Sequence, residues 1–328
     1  MPSMSSESLR WFEIPAVLVE PMIRMLRLGN AAVDTLFYDV TKVSQALRSH
    51  GVIVDLDPDE DAEGPAPFRA SVELDALSNP EGSILVVDPA AKPEITRYKD
   101  VGAFLAGPDA GQIKTISVTG VGSSALGSAA FAWNISTALG EKVVAIVPGY
   151  GVADVVQQAL GGWFGFGMHN WWIKQLTQNV LAETQPHVAS IGRGLLATVP
   201  GHRQASTGVP VFRKGSGSSD VLHEILGKLP NVIRVIGHSK GALVIENAIA
   251  SLDGAADRLR VITLGCPVGE DTAAQSYDQI LGWFDPLGML NAWGHRPERR
   301  VFAHHSTNTL IPLSMRVARE VESSADAA

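Results

Sequence analysis

From Lys114 onward the apolar positions fall into a repeating rhythm. The segments KTISVTG (114–120), KVVAIVP (142–148), NVIRVIG (231–237) and RLRVITLG (258–265) are short, nearly continuous apolar runs, each ending in glycine or proline. Between several of them lie stretches with helical spacing, Ala125–Leu139 and Ala242–Leu252. Strands buried on both faces lose the polar–apolar alternation of half-exposed ones. The pattern therefore predicts an α/β fold, a mostly parallel central sheet with helices on both faces. Gln279–Phe284 and Arg300–Ala303 read as two later strands.

Upstream the rhythm is looser. Residues 16–50 carry apolar positions at mixed three- and four-residue spacing (Val17, Met22, Met25, Leu26, Ala32, Leu36), which predicts helix. Candidate strands follow at Val52–Asp55, Phe68–Leu74 and Ser83–Val87, with an acidic, proline-containing loop at Asp57–Pro67. A long gap between Val152 and Asp220 holds GGWFGFGMHNWW (161–172) and the Gly/Ser-rich KGSGSS (214–219). Because the βα pattern resumes straight after it, this gap reads as a lid- or cap-like insertion over the strand tips. The expected organisation is a helical segment with the first strands in 1–110, a core in 111–315 interrupted by 152–220, and a polar tail in 316–328.

Composition narrows the class. Of the 328 residues 45% are hydrophobic and 18% charged, enough for a large core. The net charge of −8 argues against a nucleic-acid partner, which would need a basic face. The single cysteine, Cys266, implies no disulfide and no oxidising compartment. The apolar stretch Trp11–Val19 is broken by Glu13 and Pro15 and lacks a basic leader, so it does not read as a secretory signal. No uninterrupted apolar run reaches the length of about 18 residues that a span requires. A cytoplasmic location is the default expectation.

The chemistry centres on Gly237-His238-Ser239-Lys240-Gly241. A G-x-S-x-G pentapeptide between a strand and a helix can form a sharp turn that lifts a serine hydroxyl above the sheet. Here VIRVIG precedes it and ALVIENAIASL follows, which is that setting. A nucleophilic serine needs a base, and the base an orienting acid. With such a turn both are expected at later strand tips, acid before histidine. Asp285 follows ILGWF and precedes Pro286, and His304 and His305 follow RRVFA. His304 is the first choice for the base and His305 the second, while Glu270 and Asp271 are alternative acids. His238 sits inside the turn, where it shapes the backbone or borders the substrate, and His295 lies in a charged loop.

Two backbone donors should stabilise a developing oxyanion: the N–H of Lys240, and an N–H of Val121 or Gly122 in the loop GVGSS (120–124). That loop also fits the dinucleotide fingerprint G-x-G-x-x-G/A through Ala125, but the next strand ends in proline and glycine without the carboxylate that would hold a ribose. No cofactor is expected. No metal is expected either, since there is no H-E-x-x-H and no cysteine pair. Cys266, between Gly265 and Pro267, reads as a small buried residue.

These residues resemble the lipase branch of the α/β-hydrolase family, especially the class 3 lipases. VIGHSKGAL looks like that group's nucleophile turn, and ITLGCPVG (262–269) resembles a following strand that typically reads TFGSPRVG. The similarity in organisation covers roughly residues 114–312. It departs at Lys240, where leucine is usual, and in one missing glycine after it. The resemblance implies an α/β-hydrolase fold and a serine hydrolase that cleaves carboxylic esters.

The segment 161–172 brings together Trp163, Phe164, Phe166, Trp171 and Trp172. Over the site it would form an apolar lid or acyl pocket facing a small-molecule or lipid ester, or a lipid surface. It suits the buried core of the insertion or a homo-oligomer contact equally well. Lipase, carboxylesterase, thioesterase and intracellular polyester depolymerase all fit this reading. A catalytically idle scaffold or lipid-binding protein on the same fold is the rival, and a nucleotide-dependent oxidoreductase a more distant one.

Overall fold

The computed structural model describes residues 33–41, 43–44, 82–98, 100–120, 122–148, 201–203, 212–214, 217–249, 252, 254–268, 274–292 and 295–326. The expected strands at 52–55 and 68–74 and the aromatic segment 161–172 lie outside them.

The strands are β1 (Ile84–Val87), β2 (Ile95–Tyr98), β3 (Thr115–Val118), β4 (Val143–Ile146), β5 (Gly201–Arg203), β6 (Phe212–Lys214), β7 (Arg234–His238), β8 (Arg260–Leu264), β9 (Ser276–Gly282) and β10 (Arg299–Val301). The helices are α1 (Val101–Ala106), α2 (Ala125–Leu139), α3 (Gly217–Lys228), α4 (Gly241–Ile249), α5 (Pro286–Asn291) and α6 (Val317–Asp326). Eight strands form one sheet in the order β10-β9-β8-β7-β3-β4-β1-β2, while β5 and β6 pair antiparallel with each other. The pairings from β10 through β4 are parallel, and β1 runs antiparallel to both β4 and β2.

The twofold period of a strand divides the core between the two faces. Leu85, Val87, Val143, Ala145, Ile236 and Ile262 join α2 and α6 on one face. Their neighbours Ile84, Val86, Val144, Ile146, Val235 and Val261 join α1, α3 and α4 on the other. Neither face of a central strand meets water, which is why these strands read as unbroken apolar runs.

The order of strands places the site. From β3 the chain crosses to β4 on one side, and from β7 it continues to β8 on the other. The C-terminal ends of β3 and β7 therefore mark the topological switch point of the sheet, the place where open α/β sheets bind their ligands.

Three expectations change. The antiparallel hairpin β1–β2 was not foreseen; the short loop 88–94, closed by the Asp88 N–H on the Glu94 carbonyl at 2.8 Å, leaves no room for a parallel crossover. The core resumes at Gly217 rather than after Asp220, because α3 buries Val221, Leu222, Ile225 and Leu226 against the sheet. The polar tail expected from 316 is largely helix: α6 buries Val317 and Val321, and Arg299 of β10 ties Asp278 to Glu320.

Candidate functional site

At the tip of β7 the chain turns abruptly into α4. Ser239 takes a φ of 52°, which ordinary residues avoid. The turn is held by the Ser239 N–H on the Leu264 carbonyl of β8 at 2.8 Å and by the Ala242 N–H on the Ser239 carbonyl at 3.0 Å. A side chain at 237 would start 2.7 Å from the Ala242 nitrogen, and one at 241 would run into the Val118 and Thr119 carbonyls. The two glycines are therefore needed where strand and helix backbones pass this closely. Ser239 is 9% exposed, recessed rather than displayed on the surface.

Asp285 lies just past β9, fully buried, where it caps α5 by accepting the Gly288 N–H at 2.5 Å, with Pro286 in the first turn. Both of its carboxylate oxygens lie 2.9 Å from Nδ1 of His305. A carboxylate only accepts, so Nδ1 carries the proton and Nε2 keeps the lone pair. Gly265 lies against both residues. With φ at 72°, it presents bare backbone where a side chain would begin 2.9 Å from His305 Nδ1 and 3.1 Å from Asp285 Oδ2. Leu264, the residue before it, holds the Ser239 N–H. One step of backbone thus separates the serine turn from the aspartate–histidine pair.

This corrects the first choice of histidine. His304 is directed away from Asp285: its Nε2 donates to the Pro312 carbonyl at 2.8 Å, and its Nδ1 accepts the Ser306 N–H at 3.1 Å. Adjacent side chains of an extended segment point to opposite sides, so only one of the two can meet Asp285. The meeting falls to His305.

His238 requires a second correction. It is completely buried with both ring nitrogens engaged, and so cannot border a substrate. Its Nε2 donates to the His305 carbonyl at 2.9 Å, which leaves Nδ1 to accept the Tyr38 hydroxyl at 2.9 Å. Burial and the neighbouring His305 pull its pKa down to about 3. It therefore stays neutral, and its ring, 4.9 Å from that of His305, adds no like charge there.

The loop after β3 runs beside the serine. A side chain at Gly120 would start 3.2 Å from Ser239 Cβ and 3.5 Å from its Oγ. The Gly120 N–H is occupied by the Tyr38 oxygen at 3.0 Å and so is not open to a ligand. Gly122 has φ at 88°, and Val121 lies outside the described residues. The N-terminus of α2 is already filled by a carboxylate. Asp34 accepts the Ser124 N–H at 2.9 Å, the Ser124 hydroxyl at 2.5 Å and the Ser123 hydroxyl at 2.9 Å. A pyrophosphate on a dinucleotide fingerprint would need that position. Burial holds the Asp34 carboxyl up at about 7 despite these donors.

Lys240 is half-buried, and burial brings its ammonium down to about 8. Cys266 is fully buried with its thiol pushed up to about 12 by burial, a protonated and unreactive state at neutral pH. Of the other candidates, His295 is exposed, and Glu270, Asp271, Trp163, Phe164, Phe166, Trp171 and Trp172 lie outside the described residues. Aromatic residues not singled out in the sequence lie close along the chain to Asp285 and His305. Trp283 and Phe284 precede Asp285, Phe302 precedes His304, and all three are exposed, with Phe284 and Phe302 packed edge to face. Tyr38 and Asp34 were also missed; a short polar stretch in a helical pattern carries no local signal of its distant partners.

Among the described residues no group of three or more His, Cys, Asp or Glu side chains is placed to hold a metal ion, and no helix is long and apolar enough to cross a membrane. No family model, curated protein or solved structure matches the chain.

Proposed function

We propose that this chain is a serine hydrolase of the α/β-hydrolase type that cleaves carboxylic esters through an acyl-enzyme. The observation that carries the reading is the Asp285–His305 pair resting on Gly265, one residue from the backbone that holds Ser239 at a φ of 52°. A buried carboxylate on Nδ1 fixes the tautomer whose Nε2 can take a proton from a hydroxyl. The φ of 52° is the strained strand-to-helix turn that such a nucleophile uses.

In the proposed reaction His305 Nε2 removes the Ser239 hydroxyl proton as Oγ bonds to the ester carbonyl carbon. The Lys240 N–H and a donor from 121–122 face the oxyanion. When the tetrahedral intermediate collapses, the carbon–oxygen ester bond breaks and the imidazolium returns its proton to the departing alcohol. Water, deprotonated by the same imidazole, then attacks the acyl carbonyl; the bond from the acyl carbon to Oγ breaks, the imidazolium returns its proton to Ser239, and the carboxylic acid departs. Asp285 faces the imidazolium formed in each half-reaction. The exposed Trp283, Phe284 and Phe302 beside these loops favour an ester with an apolar acyl or alcohol group.

The reading is tested by labelling with a fluorophosphonate probe together with turnover of p-nitrophenyl esters of graded chain length. Stoichiometric labelling that vanishes in Ser239→Ala, with turnover falling by several orders of magnitude, is the expected result. A folded wild-type protein that neither labels nor turns over any ester would leave the idle-scaffold reading in its place.

A further inference from the structure

Residues 33–37 form a short helix, the chain bends at 38–39, and a second helical stretch begins at 40; residues 33–41 grip each part of the site. A helix leaves its last carbonyls without partners of their own. Here the histidine loop takes them: the Thr35 carbonyl accepts Asn308 Nδ2 at 2.6 Å, that of Leu36 accepts the Ser306 hydroxyl at 2.6 Å, and that of Phe37 accepts both the Thr307 N–H and its hydroxyl at 2.9 and 2.6 Å. The Phe37 ring meets the His305 ring edge-on, with 5.7 Å between centroids. Asp39 accepts the Thr309 N–H and hydroxyl at 2.7 and 2.8 Å. Asp34 holds the Ser123–Ser124 end of the loop that follows β3.

Tyr38 joins these contacts into one path. Its oxygen accepts the Gly120 N–H, and its proton goes to His238 Nδ1, because His238 Nε2 must donate to the His305 carbonyl. A continuous, directionally consistent chain of three hydrogen bonds runs from the loop beside Ser239, through the residue before Ser239, to the backbone of His305. Asp34, Tyr38, Asp39, His238 and Thr307 are all buried, so water cannot replace a lost partner cheaply.

We propose that residues 33–41 are a positioning clamp for the hydrolytic site, in which Tyr38 acts through His238 on His305 and through Gly120 on the oxyanion loop. This rests on the serine-hydrolase reading above. Tyr38 touches no reacting atom; it is a positioning residue, and its loss lets His305 and the Gly120 loop shift relative to Ser239 while the substrate surface stays intact.

A kinetic comparison separates placement from folding. Active sites of wild type and Tyr38→Phe are titrated with a fluorophosphonate, and kcat per titrated site and KM are measured on p-nitrophenyl butyrate. The clamp requires kcat per titrated site to fall about 10- to 100-fold, the loss expected when reacting groups are displaced by a fraction of an ångström to an ångström, with KM nearly unchanged. A loss accounted for entirely by fewer titratable sites, or kcat per site equal to wild type, overturns it. Should Tyr38→Phe not fold, Thr307→Val and Thr307→Ser carry the same measurement. The valine variant is expected to lower kcat per site and the serine variant to restore it, and equal values in both overturn the clamp. Wild type that fails to label overturns the hydrolase reading and the clamp with it, whereas normal labelling with an unaffected Tyr38→Phe overturns the clamp alone.

Discussion

Nε2 of His238 lies 2.9 Å from the carbonyl oxygen of His305, so the residue before the serine holds the backbone of the residue paired with Asp285. This bond spans β7 and the loop after β10, strands that are not neighbours in the sheet. The serine turn and the histidine loop are thereby fixed to each other directly, and not only through the strands between them. A neutral imidazole is well suited here, because it donates from one nitrogen and accepts at the other, and it carries no charge to oppose an imidazolium on His305.

The two adjacent histidines should separate sharply in kinetics. His305→Ala removes the partner of Asp285 and is expected to lower kcat on p-nitrophenyl butyrate by at least about a thousandfold. His304→Ala removes a half-exposed side chain bonded to the Pro312 carbonyl and should change kcat by less than about fivefold, the scale of one net hydrogen bond. The reverse ranking would refute the assignment of His305.

Gly265 and Gly254 form a matched pair. Both have positive φ, 72° and 69°, so alanine strains the backbone at either by about 1–2 kcal/mol. At 254 the added methyl meets nothing within 4 Å, whereas at 265 it meets the His305 ring at 2.9 Å. Both alanine variants should lower Tm, but only Gly265→Ala should also reduce kcat per titrated site, by at least about tenfold. Equal activity in the two variants would mean that the His305 ring does not need that bare backbone.

Much of this was legible in the chain, for a physical reason. β3, β4, β7 and β8 are buried on both faces and end at glycine or proline, so their apolar runs mark both position and length. The serine turn lies between two such readable elements. The choice of histidine was not legible, because His304 and His305 differ only in which side of an extended segment each occupies. That is settled by the 312–314 loop, which takes the His304 backbone N–H and ring. The role of residues 33–41 was equally hidden. Phe37 and Thr307 are 270 positions apart, and nothing in the local pattern of either announces the other. The antiparallel direction of β2 against β1 turns on the length of the loop between them rather than on the strands' own residues.

Cys266 offers a check on the packing beneath the site. Its thiol is fully enclosed and held protonated, with its pKa pushed up to about 12, so native protein should not react with Ellman's reagent at pH 8 over hours. After denaturation the single cysteine should react at once and in full. Rapid reaction in the native state would mean that the region between β8 and α5 opens far more readily than its burial implies.

Asp34 and His238 should push stability in opposite directions as pH changes. For Asp34 burial raises the pKa from 3.8 to about 7. The folded state then binds the extra proton between those values, and this contribution is present below pH 4 and lost as pH rises through 7. For His238 burial lowers the pKa from 6.5 to about 3. Here the unfolded state binds the extra proton, and the contribution is present above pH 6.5 and lost as pH falls towards 3. The two windows overlap, so wild type partly conceals both slopes, each of which is at most about 1.4 kcal/mol per pH unit. Substitution uncovers them one at a time. In urea unfolding at a series of pH values, the stability of wild type minus that of Asp34→Asn should decrease from pH 4 to pH 7. The same difference for His238→Gln should increase from pH 3 to pH 6.5. A flat difference for Asp34→Asn would mean that its carboxyl stays ionised on the donors around it, and that those hydrogen bonds outweigh the cost of burial. A flat difference for His238→Gln would mean that its ring takes up a proton in the folded state, with the Tyr38 hydroxyl turning its own proton away and accepting from Nδ1–H instead.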